Sequence, residues 1–410
     1  MAQKDTGLAK KQSMITLVVF LFAIVIVLIS SVPVIFPAIV QSDITTHLNI
    51  PRVGPNQYEL GMWAAPLIIT NFIIFGLFAA YKKGKLPKNI ENSLKKIFSF
   101  EVSKKTALIA MLVLLGIYVI STTSELGVEE QFEDYIGVKN RVDNWNISQI
   151  SNISEPHVNY FFLKASMVLF GNYKVIPFLA SISLLLITYF LTKKITQKRF
   201  AAIIAVIVLL QSNLFLTYDT SLAYSNFWIL FYLLSLYLVY RFWPLSPISY
   251  IFSIPAKALT VAFLPMSIYF ILRSNISKKS KIIVASSTAI IIVMIGIAAT
   301  SSSLGEAAQE SFDVKEFQMG FTSFSYQLRS DGLVLLFMIP LISGLFILSR
   351  YEVKHAESIM ILIAGMLIIA PMLTGFTNQT NQPYRFMPLV VFFAIGVGVL
   401  LSKRESKTLV

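Results

Sequence analysis

Residues 14–39 read MITLVVFLFAIVIVLISSVPVIFPAI, and this run decides what kind of protein the chain is. No side chain in it is charged, and its hydroxyl groups are confined to Thr16, Ser30 and Ser31. About 20 consecutive apolar residues make a helix long enough to cross the hydrocarbon core of a bilayer. The run is continuous rather than alternating, which points to a helix and not to a barrel strand. Lys10 and Lys11 precede it. It is too long for a signal-peptide core, so it is expected to stay as a retained anchor.

The rest of the chain repeats the pattern. Of its 410 residues, 56% are hydrophobic and 13% are charged. A soluble domain carries roughly 25% charged residues. Half that fraction cannot cover a water-facing surface, which excludes a soluble enzyme and a disordered chain. Cysteine is absent, which excludes a disulfide scaffold, a thiolate metal site and a Cys nucleophile. Further candidate spans are 60–81, 106–122, 174–192, 200–217, 222–240, 282–300, 332–349, 357–376 and 386–402. The expected class is an all-α polytopic membrane protein with about ten full spans.

The formal net charge of +13 could signal nucleic-acid binding, but its distribution says otherwise. With the N-terminus in the cytoplasm and the spans alternating, 25 of the 34 basic residues fall inside, with only 6 of the 21 acids. This is the positive-inside pattern, so the charge reads as topology and no nucleic-acid partner is expected. The rule makes a sharper demand at 246–272, an apolar stretch interrupted by Pro247, Pro255, Lys257 and Pro265. Arg241 and Arg273 both belong inside, so the segment between them must enter and return. It is too short for two full spans. A pair of short or re-entrant helices is expected, turning near Ser253–Lys257, with both chain termini inside.

The expected organisation is a two-span unit at 1–82, an amphipathic cytoplasmic linker at 83–105, a membrane module at 106–402 and a short tail at 403–410. In the linker, Ile90, Leu94, Ile97 and Phe98 share a helical face, and Lys88, Asn92, Lys95 and Lys96 take the other. Two long outer loops are expected, at 123–173 and 301–331. The first opens with acids: Glu125, Glu129, Glu130, Glu133 and Asp134. Ser154-Glu155-Pro156 then looks like a helix start. Val158, Phe161, Phe162, Ala165 and Leu169 form one apolar face, and Gly171 marks a stop. Such a helix is expected to lie on the outer membrane surface. Sequons occur at Asn146, Asn152, Asn275 and Asn378, with Asn275 expected inside.

The run Glu155-Pro156-His157-Val158-Asn159-Tyr160-Phe161-Phe162-Leu163-Lys164, followed by Leu169-Phe170-Gly171-Asn172, resembles the juxtamembrane helix of the polyprenyl-phosphate-dependent GT-C glycosyltransferases. These include the protein O-mannosyltransferases and the aminoarabinose transferases. Ile254-Pro255-Ala256-Lys257-Ala258-Leu259 is similar to a later segment of that family, and Asn381-Gln382-Pro383-Tyr384-Arg385-Phe386-Met387-Pro388 to the start of a late span. The order and spacing of these pieces carry the resemblance over roughly 106–402. Two departures stand out. The acid pair of the family appears as Glu133-Asp134, reversed, and a double proline is reduced to Pro156.

The resemblance implies transfer of a sugar from a polyprenyl-phosphate donor to a hydroxyl-bearing acceptor at the outer face of a cell membrane. On that basis Asp134 and Glu133, with Glu130 in reserve, are candidates for the general base. The bland alternative is a solvated acidic loop. Lys257 is the candidate contact to the donor phosphate, or else a snorkelling lysine. Arg385 is a second candidate for the phosphate, or with Tyr384 an interfacial anchor. His157 and Asp219 are candidate donor or acceptor contacts, with a taskless surface histidine and a turn residue as alternatives. No dedicated metal site is expected, although a divalent cation near Glu129–Asp134 stays open. Membrane lipids are expected neighbours. Two other classes stay open: a catalytically inactive structural subunit of a membrane complex, and a transporter or flippase.

Overall fold

The computed structural model describes residues 2–40, 56, 58–148, 156–301, 312–351, 353–377 and 382–402. His47, Asn152, Ser154, Glu155, Asn378, Asn381 and the tail 403–410 lie outside the described residues. Among the described residues there is no strand. In chain order the helices begin with α1 (Ala2–Ile35), α2 (Ala64–Lys82), α3 (Lys88–Ser99), α4 (Lys104–Thr123), α5 (Tyr135–Asn144) and α6 (His157–Phe170). They continue with α7 (Val175–Thr196), α8 (Arg199–Leu210), α9 (Asn213–Tyr218), α10 (Phe227–Arg241), α11 (Leu245–Ser253) and α12 (Leu264–Arg273). Last come α13 (Lys278–Ser301), α14 (Val314–Tyr326), α15 (Gly332–Arg350), α16 (Lys354–Thr377) and α17 (Met387–Leu400).

Among the described residues, seven stretches are long and apolar enough to cross a membrane. They are Met14–Ile35, Ala64–Lys82, Lys104–Gly127, Val175–Thr196, Gly332–Arg350, His355–Met372 and Pro383–Leu400. Their outward surfaces are apolar: Phe72 of α2 and Ile120 of α4 are each 79% exposed. A water-soluble monomer does not present such continuous apolar surface, whereas hydrocarbon accepts it. The architecture is consistent with a polytopic membrane protein.

Two of the expected spans are shorter than the sequence suggested. The run 200–217 breaks after α8, whose 12 residues extend only about 18 Å. The polar triplet Gln211-Ser212-Asn213 causes the break, and the Ser212 hydroxyl caps α9 by accepting from the Phe215 amide at 3.1 Å. The run 222–240 becomes helical only at Phe227, after the polar pair Ser225-Asn226. Of the expected second outer loop, 302–311 lie outside the described residues, and most of the rest is the helix α14. Asp313 caps α14, accepting from the Lys315 amide at 2.7 Å and the Glu316 amide at 3.3 Å.

The chain divides into two compact units. The first joins residues 1–103 to 192–205 and 312–410. Here α1 packs on α14, α15 and α16, α2 on α15, and α17 on α15 and α16. Phe20 stacks on Phe346 at 4.1 Å, and the buried Thr16 hydroxyl donates to the Glu357 carboxylate. Helix α2 ends where Gly84 takes a left-handed φ of 65°. The Gly84 amide then bonds Tyr81 O at 3.0 Å and the Lys85 amide bonds Ala80 O at 2.9 Å, which closes the last turn. This stop lets α3 form on the expected amphipathic segment.

The second unit holds residues 104–191 and 206–311. Its helices α10 and α11 pack on each other, α11 and α12 pack on α13, and α5 packs on α6. The segment between Arg241 and Arg273 is indeed two short helices. Helices α11 and α12 have 9 and 10 residues, about 15 Å each against about 30 Å for a hydrocarbon core. Between them lies a turn at 254–257, followed by a tight helical stretch Ala258–Phe263. The Tyr250 hydroxyl ties the two arms together by donating to Thr260 O at 2.6 Å.

Candidate functional site

The connection between α4 and α7 in the second unit is organised by cations that find carbonyl groups. Lys174, buried, donates to Glu125 O at 3.1 Å and Val128 O at 2.6 Å. Lys164 of α6 donates to Asp143 O at 3.3 Å and Trp145 O at 2.5 Å, capping the C-terminal end of α5. A helix C-terminus carries unsatisfied carbonyls and partial negative charge, so a lysine is the fitting partner. Asn172 adds a bond to Leu126 O at 2.8 Å.

On this frame the acids separate by role. The Glu130 carboxylate accepts from the Ser221 hydroxyl at 3.0 Å, the Ala223 amide at 3.3 Å and the Leu222 amide. It is thereby a strut that fixes the 221–223 turn. Asp134 sits at the N-terminal cap of α5, exposed, and its carboxylate accepts from the Tyr224 hydroxyl at 2.7 Å. Glu133 beside it is exposed. Phe132 is held between Tyr218 and Tyr224, at ring distances of 5.3 and 5.2 Å, which orients the whole acidic turn.

Asp219 is almost fully buried. Burial pushes its carboxyl up to about 7, against the pull of the Tyr118 hydroxyl, the Thr220 amide and the Thr122 hydroxyl. Thr122 donates at 3.4 Å, and Asp219 O accepts from the Ser181 hydroxyl at 2.7 Å. A turn residue would be solvated; this one is enclosed against α4 and α7.

His157 is not a surface histidine. It is buried at the start of α6, where the Trp145 indole donates to its Nδ1 at 3.1 Å. The indole can only donate, so this nitrogen accepts and the ring is held as the Nε2–H tautomer. His157, Tyr160, Leu163 and Ser166 are buried, while Phe161 and Leu169 are exposed. The polar side turns to protein partners, and the apolar side faces outward, as it does on a lipid-facing helix. Gly171 ends the helix in the left-handed conformation, with φ 67°.

The start of α6 meets the bent segment. The Val158 amide donates to Pro255 O at 3.3 Å, and Asn159 Nδ2 donates to Ala256 O at 3.0 Å. Lys257 follows directly, half-buried and with extended backbone, and its carbonyl accepts from Thr260. Asn159 Oδ1 is buried with no hydrogen-bond partner among the described residues. Asp134 and Trp145 stand at opposite ends of α5, about 15 Å apart by the length of that helix. Arg385 and Tyr384 belong to the first unit, in the turn Pro383–Phe386 ahead of α17. Tyr384 is buried there, and Phe386 stacks on Phe324 at 4.0 Å.

Among the described residues no three His, Asp or Glu side chains come close enough to hold a metal ion, so a divalent cation has no assembled donor set there. Trp145, Tyr224 and Lys174 were not singled out by sequence reading. The signal was weak but present: each is an aromatic or basic residue in an otherwise polar connection. Comparison with protein-family models, curated proteins and solved structures finds no match to this chain.

Proposed function

We propose that this chain is an integral membrane glycosyltransferase of the GT-C type, acting at the outer face on a polyprenyl-phosphate sugar. In this reading the bond between the anomeric carbon and the lipid phosphate breaks, and the phosphate leaves as an anion. The acceptor hydroxyl oxygen bonds to the anomeric carbon, and its proton passes to a carboxylate, Asp134 or Glu133. Lys257 meets the departing phosphate. The single observation that supports this reading most is the hydrogen-bonded junction of α6 with Pro255 and Ala256. Two segments of the resemblance, some hundred residues apart in the chain, lie against each other there. The orphaned Asn159 Oδ1 adds an acceptor suited to a sugar hydroxyl.

The test is transfer of labelled sugar from a polyprenyl-phosphate donor by the full chain in membranes. Lys257→Gln is expected to lower turnover about 100-fold with unchanged insertion. Asp134→Asn or Glu133→Gln is expected to do the same. Full activity in all three variants overturns the assignment. A second reading, an inactive structural subunit, is favoured by one fact: the Glu130 carboxylate is engaged by three donors of the 221–223 turn. A stable co-purifying membrane partner, with no transfer, would select it.

A further inference from the structure

The first unit contains a cavity of about 930 Å³ at the basic end of α2. Its walls come from three places. Leu77 and Phe78 of α2 and Ile90, Leu94 and Phe98 of α3 form an apolar trough. The turn between α7 and α8 closes one end, and there the lining becomes basic: Lys193, Lys198 and Arg199. Lys95 adds a fourth cation from α3, against one lining carboxylate, Glu101.

The basic end is built rather than incidental. Gln197 adopts a left-handed φ of 56°, unusual for a residue with a Cβ, and this kink turns Lys198 inward. Lys198 is 5% exposed and donates to Phe98 O at 2.7 Å. Burial pulls its ammonium below the usual lysine range, with Glu101 opposing the shift. Arg199 reaches Val102 O at 3.3 Å and lies 3.8 Å from Glu101. Its Nε–H is nevertheless buried with no hydrogen-bond partner among the described residues. A buried donor left in this way calls for an acceptor from outside the chain. Lys95 is already paired with Glu91 at 2.6 Å, so Lys193, Lys198 and Arg199 define the polar end.

We propose that this cavity is a binding site for one anionic membrane lipid, its acyl chain in the α2–α3 trough and its phosphate at Lys193, Lys198 and Arg199. The complementarity is twofold. An apolar trough alone would take any alkyl chain, and a basic turn alone would attract any phosphate. Their juxtaposition at the end of a membrane-length helix selects a molecule that has both. The site does not depend on the glycosyltransferase reading, because none of its residues take part in that chemistry.

The experiment is native mass spectrometry of the full chain in detergent, titrated with phosphatidylglycerol or phosphatidylcholine. The expected result is one tightly held phosphatidylglycerol, retained at about tenfold lower concentration than phosphatidylcholine. Lys193→Gln, which leaves the Lys198–Phe98 contact intact, is expected to remove that preference. Leu94→Trp, which fills the trough and keeps every cation, is expected to abolish the first bound lipid. Equal binding of the two lipids overturns the proposal, as does undiminished binding in Leu94→Trp. Thermal protection by inorganic phosphate equal to that by phosphatidylglycerol overturns the lipid assignment in favour of a simple anion site.

Discussion

Asp219 has the clearest consequence at the scale of single residues. A carboxyl in an unfolded chain ionises near pH 4, whereas this one is pushed up to about 7 by burial. Below about pH 4 both states hold the proton, and the group does not bias folding. Between about 4 and 7 the folded chain keeps a proton that the unfolded chain has lost, so stability falls as pH rises. Above about 7 the full cost is present, of order 4 kcal/mol. Asp219→Asn mimics the neutral form. Its apparent Tm in detergent is expected to exceed that of the wild type at pH 8 and to converge with it near pH 4. A lower Tm at pH 8 would mean that the ionised form is the one the fold needs. Little of this was legible in the sequence, where Tyr218-Asp219 looks like a short turn. Its enclosure comes from Tyr118, Thr122 and Ser181, distant in the chain, and no local pattern announces such partners. The same holds for Trp145 with His157 and Tyr224 with Asp134. Gly171 was legible, because a helix stop is a local matter of backbone conformation.

At the scale of elements, close helix approach depends on a few positions without side chains. A Cβ on Gly398 of α17 would lie 2.5 Å from Thr192 Cγ2 and 2.9 Å from Ala201 O. The second of these is backbone and cannot move aside. Gly398→Ala is therefore expected to cost about 1–3 kcal/mol, visible as a lowered Tm in detergent. Gly76 of α2 is the control, with nothing within 4 Å of an added Cβ. Gly76→Ala is expected to be neutral or slightly stabilising, through helix propensity alone. Long helices were readable because twenty apolar residues have few other fates in a bilayer. The short pair α11 and α12 was readable because two arginines had to share a side. The breaks after α8 and before α10 were hidden, since one or two polar residues inside an apolar run are compatible with a continuous span.

At the scale of the whole molecule, sidedness is open to direct measurement because the chain has no cysteine. Single substitutions Asn146→Cys and Asn275→Cys would each carry the sole thiol, both at exposed positions. The reading from charge expects a membrane-impermeant maleimide, added to intact cells, to label the first and spare the second. Labelling of Asn275→Cys under those conditions would reverse the orientation and remove the outer-face chemistry with it. The sequence suggested a linear succession of an N-terminal unit, a linker and a module. The compact unit that the N-terminal helices join instead gathers segments from both ends of the chain.

That gathering bears on how the protein is made. Thr16 of α1 and Glu357 of α16, partners in a buried hydrogen bond, are 341 positions apart. At roughly 5–20 residues per second, a ribosome delivers the second about 17–70 seconds after the first. For most of that interval α1 must persist in the lipid without α14, α15 and α16, the helices it packs on in the finished protein. Its unbroken greasiness is what makes the wait survivable, and the first unit can close only when nearly all of the polypeptide has been threaded.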